Sequence, residues 1–545
     1  MSDRSPTRRD FLAAGSAAAV GTVLGTRAIV AQPAAFDLVI RGGNVFDGLG
    51  NDPQELDLGI RAGRIVALQR RLGGRAREEV DARGLAVAPG FVDIHSHGDG
   101  TLAEDPRAES VIRQGITTII VGQDGSSRGR DPGDVAVWRR TTAALKPSCN
   151  VATMVGLGSV RGAVVGDDAR PATPGELQRM VGMVRRALQE GAVGASSGLE
   201  YTPGAFASEA ELIALCRPLA SRGLVYATHM RNEDDRLLDS IRESIAVARG
   251  AKCGLQVSHL KTQGPRNWAK LDEVFALVDE VKRAGMDIAF DRYPWIAYQT
   301  GLTNLFPVWS RDGGTEAFLK RLDDPSTGAR IKQEALAKVD LIGGWDNVMV
   351  ASVRDASDRA AEGKRMGQYA AARGGDPYDV TVAMLKRNAG SVGMVGFAMS
   401  EENLDRILAH PLGMVCSDGG AYAIDGPTRR GSPHPRGGGS FPRVIATYVR
   451  ERKALTLRQA IQKMTAFPAA RVRLADRGRI ATGMAADVVV FDAASVADRA
   501  TYEQPFQYPA GIALLVVNGK VALRGGEREG TGAGRVLTPA AMARA

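Results

Sequence analysis

Apolar residues recur along this chain at two spacings, and the spacing changes with position. Near the start, Phe36-Asp37-Leu38-Val39-Ile40 runs into Arg41-Gly42-Gly43-Asn44-Val45, and Leu58-Gly59-Ile60 into Gly63-Arg64-Ile65-Val66-Ala67. Short β-rich runs broken by glycine turns predict strands and hairpins. A matching set stands near the other end, at Gly478-Arg479-Ile480, Ala486-Asp487-Val488-Val489-Val490-Phe491-Asp492 and Leu514-Leu515-Val516-Val517-Asn518-Gly519-Lys520-Val521. The pattern predicts that residues 36–88 and 470–530 together build one small β-sandwich domain.

Between these ends the rhythm is strand, helix, strand. Thr173-Pro174-Gly175-Glu176 has the form of a capping box with proline at the first helical position, and Leu177, Met180, Val181, Val184 and Leu188 follow at helical spacing as far as Gly191. A strand at Ala192–Ser197 comes next. Ser208 and Glu211 repeat the cap, and Gly223 closes that helix before a strand at Leu224–His229. A charged helix over 233–249 then precedes Leu255–His259, and a further helix ending at Gly285 precedes Met286–Asp291. With candidate strands at Val87–Asp93, Ile116–Val121, Val151–Val155 and Gly413–Ser417, the count reaches eight. Apolar strands separated by single helices predict parallel βα units, and eight of them predict a (β/α)8, TIM-like barrel over 89–469. The stretch at about 292–412 is too long for one βα connection and is predicted to be an insertion over the barrel mouth.

Composition narrows the class without naming a function. With 44% hydrophobic and 24% charged residues among 545, the chain can bury a large core. Aromatics are only 5%, which argues against nucleic-acid binding by stacking. The net charge of +9 is spread as scattered arginines with no basic block longer than a pair, so it reads as a solvated basic surface. Residues 1–31 differ from the rest. Thr7-Arg8-Arg9-Asp10-Phe11-Leu12, the mild apolar run Ala13–Leu24 and an alanine-rich end near Ala31 read as a twin-arginine signal, which predicts the twin-arginine export machinery as partner and a periplasmic location. That run is too short to span a bilayer, so no stable membrane insertion is expected. The cysteines, Cys149, Cys216, Cys253 and Cys416, lie far apart with no C-x-x-C and read as small buried residues.

The chemistry is carried by histidine. Of six in the chain, four end predicted barrel strands: His95 and His97 in Asp93-Ile94-His95-Ser96-His97, then His229 and His259. Strand ends of that kind face the active site of a barrel, and alternate residues share a side, so H-x-H can address one ion. Imidazole nitrogens suit zinc, and Asp418, in Cys416-Ser417-Asp418-Gly419, supplies a carboxylate after the eighth strand. Alone, each would read as a core residue; together they predict a metal site.

On these and further motifs the chain resembles the D-aminoacylase (N-acyl-D-amino-acid deacylase) family of the amidohydrolase superfamily, over roughly residues 36–525. The motifs are Ala88–His97, Gly115-Ile116-Thr117-Thr118, Gly198-Leu199-Glu200-Tyr201-Thr202-Pro203-Gly204, Tyr226–Arg231, Val257–Lys261, Ser417-Asp418-Gly419 and His434-Pro435-Arg436. The resemblance implies zinc-dependent hydrolysis of the amide of an N-acyl-D-amino acid, a small-molecule substrate. It implies one or two zinc ions on His95, His97, His229 and His259, Asp418 as general acid and base, and Arg436, Lys261 and Tyr201 on the substrate carboxylate. One departure stands out. Where the family commonly has a metal-binding cysteine in an Asn-Cys-Gly turn, this chain has Gln123-Asp124-Gly125. Glu200 is the favoured bridging ligand in its stead, with Asp124 as a lesser ligand or supporting partner.

Three rivals remain on the sequence. Gly194-Ala195-Ser196-Ser197-Gly198 has the form of a serine nucleophile elbow, but Pro203-Gly204 follows where a helix is needed. The same metal site would serve another carboxylate-bearing amide, cyclic or dipeptide. A binding protein without turnover would have no need of a base at Asp418. Of the last histidines, His410 reads as exposed in a loop, and His434 as either a support of the substrate mouth or a surface residue. Trp295, Tyr298, Phe306 and Trp309 read equally as pocket lining or as the core of the insertion.

Overall fold

A computed structural model describes residues 35–541 except 130 and 531, so the twin-arginine pattern lies outside the described residues. The strands at the two chain ends are hydrogen-bonded into one continuous nine-stranded sheet. That sheet turns back on itself, since Arg64 bridges to Ala485 and Gly63 O accepts from Ala486 N, so its strands enclose a core between them. Its seam is Ala86–Pro89, parallel to Phe36–Val45 on one side and antiparallel to Val488–Phe491 on the other. Alternation along Val488–Phe491 sorts the side chains. Val488 and Val490 join Leu38, Ile40, Leu58 and Ile60 in the sheet's own core, whereas Val489 and Phe491 pack with Phe91, Ile116 and Val151 of the central layer.

The central layer consists of parallel strands in series: Phe91–Asp93, Ile116–Val121, Asn150–Thr153 continued by Val155–Gly156, Gly194–Gly198, Val225–His229, Gly254–Val257, Ile288–Arg292 and Gly413–Val415. Each pairs in parallel with the next. Past the last strand the backbone returns to the first, with Asp418 N donating to His95 O and His97 N to Gly419 O, both at 2.9 Å. The faces are sorted by the period of two. Val225 and Ala227 lie with Ile120, Ala152 and Ala289, while Tyr226 lies among the helices with Leu255, Val257 and Phe290. His229 follows Val225 and Ala227 on the inner face.

The helices begin and end where local chemistry dictates. Thr173 and Glu176 form the reciprocal capping box, and the helix Pro174–Gln189 follows. Removing the cap side chain leaves an amide without its acceptor, so Thr173→Ala should cost about 1 kcal/mol, read as a lowered urea midpoint in far-ultraviolet dichroism. Ser208 caps Glu209–Ala220 by accepting from Glu211 N at its hydroxyl. The helix expected over 233–249 starts later, at Leu237–Ala251. Asn232 Oδ1 accepts from the backbone of both Asp234 and Arg236, a local loop that competes with helix and frees Glu233 to turn inward.

The insertion folds as a three-stranded antiparallel sheet, Ala297–Gly301, Val348–Ser352 and Gly393–Phe397, wrapped by helices. Trp295 and Phe306 are buried in its core and Trp309 packs against it, whereas Tyr298 also faces the cavity described below. Among the described residues no helix is long and apolar enough to cross a membrane, and all four cysteines are free.

Candidate metal centre

The C-terminal strand ends converge on one cavity of about 630 Å3, lined by His97, Asp124, His229, His259, Asp418 and Arg436, among others. That volume suits a small ligand. On its floor, ligand atoms of His95, Asp124, His259 and Asp418 all lie within 4.8 Å of one another. Asp124 sits at the middle. Its Oδ1 is 3.4 Å from His95 Nε2 and 3.5 Å from His259 Nε2, and its Oδ2 is 3.4 Å from His97 Nε2 and 3.8 Å from His229 Nδ1. Asp418 Oδ1 lies 3.1 Å from His97 Nε2 and 3.5 Å from His95 Nε2. His229 Nδ1 and His259 Nε2 stand 3.0 Å apart.

Backbone conformation aims three of these groups. His259, Asp124 and Asp418 all have positive φ, at 34°, 52° and 49°. Such residues are uncommon outside glycine, although aspartate and histidine tolerate the region best. In the sixth strand Leu255 and Val257 face outward, so simple alternation would send His259 out as well. The left-handed turn redirects it into the cavity. Local strain of this kind gathers at functional sites.

The electrostatics fit a cation. His95 Nδ1, His95 Nε2 and Asp124 Oδ1 are buried with no hydrogen-bond partner, an arrangement that is costly unless something else satisfies them. Burial opposes charge on His95, yet Asp124 and Asp418 raise its pKa well above the ordinary histidine value. The same carboxylates lift His97 to about 9 against burial. Burial likewise pushes the Asp418 carboxyl up, and Arg436, His259 and His95 more than reverse it, holding it far below the usual range.

Around the centre stand residues that orient it, some of them without a role in the sequence reading. Glu233, 1% exposed, receives both Lys261 Nζ contacts at 2.6 and 2.7 Å and lies 3.2 Å from His259 Nδ1. Asp291 accepts from His259 N at 2.8 Å and lies 3.6 Å from His95 Nδ1. Carboxylates behind histidines fix ring orientation in metal sites. Glu233 stands four residues after His229 and Asp291 is the last residue but one of the seventh strand, so nearness to the C-terminal end of a strand was the available signal for both.

Several expectations are revised. Asp124, rather than Glu200, belongs to the central four; Glu200 Oε2 meets His229 Nε2 at 3.4 Å and accepts from Asn304 Nδ2 at 3.2 Å, on the far side of that ring. Lys261 lines the cavity, but its ammonium is engaged by Glu233 and by His259 Nδ1 at 2.7 Å. Arg436 donates to Asp418 Oδ2 at 2.6 Å. Tyr201 lies over His229 with ring centroids 4.7 Å apart, and its hydroxyl accepts from Thr300. His434 is no surface residue: it is 1% exposed, and burial, then Arg436, hold its pKa well below the ordinary value. Neutral, it donates from Nε2 to Ala297 O and accepts Arg436 N at Nδ1, which anchors Arg436. His410 is not exposed either, because its ring stacks on Phe275 at 4.5 Å. Ser196 is fully buried; its hydroxyl donates to Gly122 O and accepts from Gly125 N, so it is no exposed nucleophile.

Residues 78–523 match the model of the amidohydrolase family. This chain belongs to the amidohydrolase family. The amidohydrolase is 37% identical over 501 residues to an N-acyl-D-glutamate deacylase from Alcaligenes xylosoxydans xylosoxydans, covering 89% of this chain and 93% of that protein. A D-aminoacylase from the same organism is 34% identical, with 92% and 97% covered. The α/β fold superposes on the crystal structure of N-acyl-D-glutamate deacylase from Bordetella bronchiseptica, complexed with zinc and a phosphonate inhibitor that mimics the tetrahedral intermediate. There the TM-score is 0.79 at 34% identity, covering 92% of this chain and 99% of that one.

Proposed function

We propose that this amidohydrolase hydrolyses the amide bond of N-acyl-D-amino acids, with water as co-substrate, to release a carboxylate and a free D-amino acid. One observation carries the reading: buried imidazole and carboxylate groups lacking hydrogen-bond partners converge on a cavity that also holds Arg436. Zinc is the proposed metal, which His95, Asp124, His259 and Asp418 would hold, with His97 and His229 also facing Asp124, a donor set that suits one ion or two. Bound there, zinc would lower the pKa of a water and polarise the amide carbonyl.

The chain's own residues do the rest. Asp418 Oδ1 takes a proton from the attacking water and returns it to the amide nitrogen as the C–N bond breaks. Because Arg436 bonds Asp418 Oδ2, a substrate carboxylate held by the remaining face of its guanidinium lies close to that base. The Tyr201 hydroxyl closes the same side of the cavity. Lys261, held by Glu233, acts through His259 instead of gripping substrate.

The parallel strand series and the backbone bonds between its first and last members support a closed (β/α)8 barrel over 89–469, with the sheet of 36–88 and 470–530 as a separate domain. The twin-arginine pattern supports export to the periplasm in the folded state.

The test is turnover of N-acetyl-D against N-acetyl-L amino acids by the purified, zinc-loaded chain, with metal content measured alongside. Hydrolysis confined to the D series, abolished by chelation and restored by zinc, is the expected result. Turnover confined to the L series, or undiminished after the metal is stripped, would overturn the reading.

A further inference from the structure

Away from the histidines the cavity has a second wall, and Glu200 decides its charge. Glu200 and Asn304 line both the main cavity and a smaller chamber of about 290 Å3, so together they form the partition between the two. Asn304 Nδ2 and the His229 ring both address Glu200 Oε2. Among the described residues no hydrogen bond reaches Oε1, and Glu200 keeps 7% of its surface exposed. Here a carboxylate oxygen is left over at a cavity wall.

The cations nearby do not cancel it from the cavity side. Lys338 and Arg311 line only the chamber behind the partition. Lys338 is paired with Asp234, and Arg311 donates to the Glu200 carbonyl at 3.1 Å. The Lys and Arg side chains that line the main cavity, among the described residues, are Lys261 and Arg436, engaged by Glu233 and Asp418. A substrate side chain reaching this wall would therefore meet an anionic acceptor and no uncommitted cation. The main cavity's lining also includes the small or neutral residues Gly158, Ser159, Gly162, Thr202 and Gln299.

We propose that Glu200 determines which D-amino acid is accepted, selecting side chains that donate a hydrogen bond or carry positive charge and rejecting those with a second carboxylate. The inference rests on the deacylase reading above and separates this chain from the relative named for D-glutamate. A second carboxylate would be desolvated beside Glu200 with no uncommitted cation on the cavity side, because Lys338, the cation that most favours the Glu200 charge, stands behind the partition, whereas a carboxamide or ammonium gives Oε1 the donor it lacks. Like charges brought together in such a site are strongly disfavoured, and rejection is the sharper half of the discrimination.

The experiment compares N-acetyl-D-glutamine with N-acetyl-D-glutamate, a pair matched in shape, using the zinc-loaded full chain and its Glu200→Gln and Asn304→Asp variants. The wild type should favour the glutamine compound by roughly 100-fold in kcat/KM, expressed mainly in KM, because the wall acts on binding. Glu200→Gln should collapse that ratio to within about threefold, and Asn304→Asp, which adds a carboxylate at the same wall, should steepen it. A ratio cancels any general loss of activity from disturbing His229. Calorimetric binding of the same pair is measured in parallel. Discrimination in binding without turnover would remove the deacylase function and leave this inference standing. Equal or reversed preference in the wild type, an unchanged ratio in Glu200→Gln, or no binding of either compound would overturn it.

Discussion

Asp418→Asn is expected to lower kcat for an N-acetyl-D-amino acid by roughly 1000-fold, within the range a general acid and base contributes. The amide side chain keeps the shape of the carboxylate, and its oxygen can still accept from Arg436 or face the imidazoles. It cannot take up a proton and hand it on. Metal content per chain should accordingly stay near the wild-type value while turnover collapses, a split between occupancy and kcat that separates the two roles open to Asp418. Metal lost in proportion to activity would mean that Asp418 serves turnover only by holding the metal and not as the proton carrier. Turnover within threefold of wild type would remove it from the chemistry altogether.

The second large effect is expected at Asp124. Its two oxygens face all four histidines of the centre, and it is held below the usual carboxylate range, because His95 and His259 overcome the upward push of burial. Asp124→Ala should weaken zinc binding by at least about 100-fold, more than loss of a supporting partner costs, and turnover should fall with it. Competition with a chromogenic chelator reads the affinity directly. Glu200→Gln should lower that affinity by only about 10-fold, the low end of the range for an outer partner of a histidine ligand. Should the two variants change places, with Glu200→Gln shedding metal and Asp124→Ala keeping it, the central position assigned to Asp124 would fail.

What the sequence made legible follows from how directly each feature depends on local pattern. The parallel strands could be read because they are short apolar runs, some of them set off by capped helices such as Pro174–Gln189 and Glu209–Ala220, and His229 could be read because it continues the alternation of Val225 and Ala227. The rank of Asp124 over Glu200 could not. Both are acidic residues at strand ends, and the difference lies in a left-handed residue between Gly122 and Gly125, which turns Asp124 toward the histidines. Glu233 was hidden for a similar reason. Its neighbours have helical composition, and only the competition of Asn232 for the backbone delays the helix and releases Glu233. The Lys261–Glu233 pairing was hidden with it, because it forms only once that loop turns Glu233 inward. The continuity of the terminal sheet was equally out of reach, since hydrogen bonding between distant strands leaves no mark on the hydrophobic period.

The seam of that sheet also has a consequence for how the protein is made. Ala86–Pro89 cannot acquire its partner Val488–Phe491 until about 400 further residues have left the ribosome. At the ordinary pace of synthesis, about 5–20 residues per second, its backbone edge stays open for tens of seconds. An open apolar edge is a template for pairing with other chains, and contacts of such long range are slow to close. Yield in cells should therefore respond to slower translation and to chaperones that shield nascent strands, even where the stability of the finished molecule is unchanged.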